Sequence, residues 1–86
     1  MNNMGELYSI ISDTFFTMDK ELDVPFANFT PETRLSDLGI DRFTFSVLVM
    51  NIESRLNVSL PVDDDYRIET IGDVMSMIKS SKQMYI

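Results

Sequence analysis

Few side chains in this sequence could do covalent chemistry, and those that could gather around one stretch, Asp37-Leu38-Gly39-Ile40-Asp41-Arg42-Phe43. It offers two carboxylates and a guanidinium, with the hydroxyls of Ser36, Thr44 and Ser46 close by. A hydroxyl becomes a nucleophile only beside an activating base. The chain has no His and no Cys, which removes the commonest base, any thiolate and any zinc–cysteine site. The base would have to be a lysine, yet Lys20, Lys79 and Lys82 have no motif around them. The 14 acidic residues include no pair whose spacing marks it for acid–base work. Gly5, Gly39 and Gly72 are scattered, so no glycine loop cradles a phosphate. Asp63-Asp64-Asp65 fails as a calcium loop, because counting from Asp63 puts Ile68 where Gly is needed and Val74 where Glu is needed. An enzyme is not expected, and neither is a metal site.

The elements that position the stretch follow from its residues. Gly39 suits a sharp turn, since it takes backbone angles closed to other residues. Asp41 suits a helix N-cap, where its carboxylate accepts from free backbone N–H groups. Arg42 is the odd residue. A cation in the first turn meets the positive end of the helix dipole, an unfavourable placement worth a few tenths to about 1 kcal/mol. Apolar spacing predicts a helix from Arg42 to Leu56. At 100° per residue, Phe45, Leu48, Val49, Ile52 and Leu56 share one face, and Phe43, Val47 and Met50 lie almost opposite. Arg42, Ser46 and Glu53 form one polar strip between them, and Thr44, Asn51 and Arg55 form the other. A small domain buries one such face, so the larger is expected in the core. The smaller is expected at least partly exposed, as a docking patch in which Met50 supplies adaptability.

Before this helix, Asn3 and Glu6 resemble a capping box. Leu7, Ile10, Ile11, Phe15 and Met18 then mark a first helix over about 4–18. Residues 19–36 read as a long loop with Pro25 and Pro31, expected to be tied down by Phe26, Phe29 and Leu35. After Asn57, Val58-Ser59-Leu60-Pro61 is extended. Asp63-Asp64-Asp65 opens a short helical turn carrying Tyr66 and Ile68. Thr70 and Asp73 start a last helix over about 71–79, with Ile71, Val74, Met75 and Ile78 on one face. The fold expected is all-α, a small four-helix bundle with a long first loop and a short third helix. One domain spans 1–86, with its core at about 4–80 and a loose tail at 81–86.

The totals narrow the function. The chain has 86 residues, 44% hydrophobic and 24% charged, typical of a globular protein. Its net charge of −7 repels nucleic acid and anionic membranes and suits a basic protein partner. No apolar run is long enough to span a membrane, and the N-terminus lacks a signal-peptide pattern. A cytoplasmic protein is expected.

The order of elements, with Leu35-Ser36-Asp37-Leu38-Gly39-Ile40-Asp41, Leu48-Val49-Met50, Leu60-Pro61 and Thr70-Ile71-Gly72-Asp73-Val74, resembles an acyl carrier protein. The resemblance covers about residues 4–80 and runs without a gap from Leu35 to Pro61. It implies a carrier for fatty-acid, polyketide or lipid biosynthesis that docks onto partner enzymes through its second helix. In that family 4′-phosphopantetheine is attached to a Ser directly after the second Asp of the motif. Here that position is Arg42, which has no hydroxyl. The motif residues are Asp37, Leu38, Gly39 and Asp41, and the docking residues are Phe43, Val47, Met50 and Glu53. Of the family's acidic docking positions, Asp41 and Glu53 remain acidic, whereas Thr44, Val47 and Ser54 do not. Partner choice should therefore differ. Three readings follow from Arg42: a carrier-like protein that cannot be loaded, a genuine carrier whose serine has been replaced, or a non-carrier module in which Arg42 binds an anion. A monomer is the default for the class.

Overall fold

The apolar stripe of the first helix is buried almost completely. Leu7, Ile10, Ile11 and Phe15 are each at most 3% exposed. They belong to α1 (Met4–Thr17) in a computed structural model that describes residues 4–60 and 68–83. α2 (Arg42–Leu56) and α3 (Ile71–Lys79) complete the helices described. Their buried residues, Leu48 and Ile52 of α2 and Ile71, Val74 and Met77 of α3, close one core with α1. The expected short third helix falls mostly on 61–67, outside the described residues. Ile68, just after them, is not helical and is partly buried.

α1 and α2 run antiparallel along a seam that is polar as well as apolar. The Asn51 Nδ2 donates to Thr14 Oγ1 at 2.7 Å, and Thr14 Oγ1 donates to the Ile10 carbonyl at 2.8 Å. At the far end of the seam Arg55 pairs with Asp13 at 2.6 Å. Both partners are exposed there, so this ion pair adds little. The strip of Thr44, Asn51 and Arg55, expected to separate two apolar faces, thus turns toward α1. Thr44 is only 1% exposed. Phe45, Val49 and Leu56, assigned to the core face, are partly buried. The buried face of α2 is rotated toward the polar partners that α1 and Lys20 supply.

The long connection is held by backbone as much as by side chains. Phe29 and Leu35 are buried as expected, but Phe26 is 52% exposed and packs edge-on against Tyr8. Tyr8 also stacks edge-on with Phe29 and donates its hydroxyl to the Val24 carbonyl at 2.6 Å. Short 3₁₀ turns at Phe26–Asn28 and Ser36–Leu38 break up the loop. Its middle is laid against the start of α3. Leu35 N–H donates to the Glu69 carbonyl, Ile71 N–H to Thr33 and Gly72 N–H to Pro31, at 2.9, 2.9 and 2.8 Å. A Cβ at Gly72 would sit 3.1 Å from the Pro31 oxygen, so the close approach favours glycine.

α3 begins with the capping box expected of Thr70 and Asp73, both bonds being present. Met77 takes a core place, whereas Met75 and Ile78 are only partly buried. Lys82–Gln83, placed in a loose tail, instead pairs antiparallel with Val58–Ser59 as β2 and β1. This pairing is set by Asn57, whose left-handed backbone (φ 56°) turns the chain out of α2. No helix among the described residues is long and apolar enough to cross a membrane.

Replacing Asn51 with Ala removes one of the two hydrogen bonds of the buried Thr14 hydroxyl. The expected loss is about 1 kcal/mol of unfolding free energy, measured by urea denaturation.

Candidate functional site at the start and outer face of α2

The turn into α2 is built by residues with local reasons to be there. Gly39 has φ 81°, the left-handed region. A Cβ there would meet nothing within 4 Å, so the backbone angle and not space calls for glycine. Leu38 and Ile40 on either side are buried and pin the turn to the core. The Ile40 N–H donates to the Leu35 carbonyl at 3.0 Å. Asp37 and Ser36 face solvent. Asp41 caps α2, its Oδ1 accepting from the Thr44 N–H at 2.8 Å. Of the four motif residues, Leu38, Gly39 and Asp41 thus serve the turn and cap directly.

One residue at this site was not singled out from sequence. Lys20, just past α1, donates from Nζ to the Gly39 carbonyl at 2.8 Å and to Thr44 Oγ1 at 3.0 Å. Its ammonium also lies 5.6 Å from the centre of the Phe15 ring. It satisfies the buried Thr44 hydroxyl and ties α1, the turn and α2 together. No local motif signals this, because the contacts cross 19 and 24 positions. The Asp41 carboxyl is held below the ordinary carboxylate range. The Thr44 N–H is the largest cause, followed by the Thr44 hydroxyl, with a smaller contribution from the Lys20 charge.

Arg42 stands apart from this network. It is exposed, and its guanidinium has no hydrogen bond or ion pair among the described residues. Beyond it Phe43 and Met50 are 73% and 66% exposed, and Val47 is partly buried. The structure therefore brings Phe43, Val47 and Met50 together as an outward apolar face, with Arg42 at one end. Glu53 lies further along α2, where its Oε2 accepts from the Leu60 N–H at 2.9 Å. A cleft of about 760 Å³ opens elsewhere, lined by residues including Leu7, Ile10, Leu56, Met75 and Ile78, and it shares no residue with the start of α2. Among the described residues no cluster of acidic side chains could hold a metal ion.

This helical scaffold, with its capped central helix, matches known carrier proteins in sequence. The family model described as "Phosphopantetheine attachment site" matches residues 17–78. The chain is 29% identical over 75 residues to an acyl carrier protein of Helicobacter pylori strain J99, covering 86% of this chain and 96% of that relative. It is 35% identical over 75 residues to acyl carrier protein MbtL of Mycolicibacterium paratuberculosis, covering 86% of this chain and 76% of the relative. An acyl carrier protein of Wolinella succinogenes is 33% identical over 69 residues, 73% of this chain and 91% of the relative. No solved structure matches the chain significantly. The chain belongs to the phosphopantetheine-attachment family of acyl carrier proteins. Proteins of this class are carriers without catalytic activity, so the chain is not an enzyme.

The arm of this family, 4′-phosphopantetheine, needs a side-chain hydroxyl. Arg42 has none. The Thr44 hydroxyl is buried against Lys20, and Ser46 Oγ donates back to the Arg42 carbonyl at 3.2 Å one turn into the helix. Ser36 is exposed but precedes the Gly39 turn.

Two predictions follow from this geometry. Lys20→Met should lower stability by about 1 kcal/mol in urea denaturation and shift the Gly39 and Thr44 amide resonances, because a partly exposed charged hydrogen bond is lost. The second concerns pH. Asp41 has a lower pKa folded than unfolded, so its contribution is present above the unfolded pKa and is lost as pH falls through the folded one. Asp41→Asn keeps a good cap but removes the charge. The stability gap between parent and variant should narrow as pH drops from about 6 to about 2, followed by denaturant titration at each pH.

Proposed function

We propose that the chain is an acyl-carrier-type module that docks onto biosynthetic enzymes through α2 and is not loaded with 4′-phosphopantetheine, because Arg42 occupies the attachment position. Its pathway class is fatty-acid, polyketide or lipid biosynthesis, and its place is the cytoplasm. One observation carries the reading. Arg42 is the first residue of α2, directly after the Asp41 cap, and it is exposed, its guanidinium without a partner among the described residues. The fold does not need an arginine there, and no neighbouring hydroxyl replaces the missing one. Beside it, Phe43 and Met50 remain open for contact. Val47 and Glu53 complete the docking strip. Asp37 and Asp41 keep the end of the site acidic.

The test is a loading assay. Incubation with a phosphopantetheinyl transferase and coenzyme A should leave the mass of the parent chain unchanged. A gain equal to the arm on the parent would overturn the reading. Arg42→Ser should fold like the parent, and a gain of one arm on that variant would show that the hydroxyl alone is missing.

A further inference from the structure

The outward face of α2 is complementary to itself. Arg42 and Glu53 lie about three turns apart, so they occupy the same side strip of the helix. Phe43, Val47 and Met50 lie along the adjacent apolar face, with Phe43 and Met50 open to solvent. Consider two copies of α2 laid antiparallel about a two-fold axis midway between positions 42 and 53. Each Arg42 then stands level with Glu53 of the other copy, on the same side of the contact. The same operation sets Met50 of one copy at a level between Phe43 and Val47 of the other. The apolar side chains alternate along the seam instead of meeting head-on. The remaining outward residues, Ser46 and Ser54, are small and exposed, and neither obstructs the approach.

We propose that the chain forms a weak homodimer through α2, seated on Phe43, Val47 and Met50 and closed by two symmetric Arg42–Glu53 ion pairs. The charge pattern names the occupant. A face that opens on an exposed cation, unpartnered among the described residues, calls for an acid, and a second copy supplies Glu53 at the matching level. Glu53 is partly exposed, and only its Oε2 is engaged within the chain, accepting from the Leu60 N–H among the described residues. The net charge of −7 on each copy opposes association at long range, which keeps the dimer weak. The inference goes beyond the docking reading. It uses the same face, but the dimer needs no other protein, and a self-paired face would be closed to one.

Sedimentation velocity of the full chain over a concentration series tests it, at about 0.15 M salt, where repulsion beyond about 8 Å is screened. The expected result is a concentration-dependent monomer–dimer equilibrium. Arg42→Glu and Glu53→Lys should each weaken it by about tenfold or more, since each sets like charges opposite. An equimolar mixture of the two variants should recover association, because every charge at the seam then meets its opposite. Helical circular dichroism checks that each variant is folded, and Glu53→Gln, which keeps an acceptor for the Leu60 N–H, provides a milder loss at the same position. A parent chain monomeric at every concentration, or a dimer indifferent to these substitutions and not rescued by mixing, overturns the proposal. Either result leaves the loading assay, and the reading it tests, unaffected.

Discussion

The contact on which the rest of the structure depends is the Lys20 ammonium. It joins three parts that sequence keeps separate: the end of α1, the left-handed turn at Gly39 and the first turn of α2. Thr44 sits in the face of α2 that packs inward, and its hydroxyl oxygen, beside the Asp41 carboxylate, also calls for a donor. Lys20 supplies that donor while keeping its own charge partly solvated and close to the Phe15 ring. Once this end of the seam is fastened, the remaining polar contacts fall into register along the helices, Thr14 with Asn51 and Asp13 with Arg55. The hydrophobic effect drives the helices together, and these polar contacts decide how α2 is rotated about its axis.

That rotation makes the outer face what it is. Turning Thr44 and Asn51 inward carries Phe43 and Met50 outward. The apolar patch is therefore a consequence of the internal polar seam as well as of composition. Arg42 is different in kind. It takes part in neither the seam nor the cap, so folding leaves position 42 open to change, whereas Gly39 and Asp41 are constrained by the turn and the cap. Scaffold and chemistry are carried by adjacent residues under separate constraints.

Features with local causes could be read from the sequence. The starts of α2 and α3 follow from Asp41, Thr70 and Asp73, whose bonding partners lie within four residues. That Phe43 and Met50 share one side of α2, apart from the main core face, follows from helical spacing, and the polar seam turns that side outward. The family follows from the stretch around Gly39. Features with distant causes could not be read. Thr44 looks like a surface residue until Lys20 reaches it. Gln83 reads as tail until Val58, on the far side of α3, offers it a backbone partner. Met77 and Met75 are indistinguishable by type, and only the placement of α3 decides which is buried. The loop's fastening by backbone bonds to Glu69, Ile71 and Gly72 leaves one trace in the sequence, the glycine at 72 where the loop comes close.

The two attachments of the last helix also shape how the molecule comes apart. The loop residues 31–35 bind its N-terminal end, and β2, which follows it, binds β1 just past α2. α3 is thus clasped at both ends by segments from different parts of the chain. It cannot swing away as a flap. Releasing it breaks the loop's backbone bonds at one end and the strand pair at the other, and it strips the cover from Ile71, Val74 and Met77 together. Opening of α3 and β2 is therefore coupled to opening of the long loop, and amide protons in the two segments share one opening event, not two.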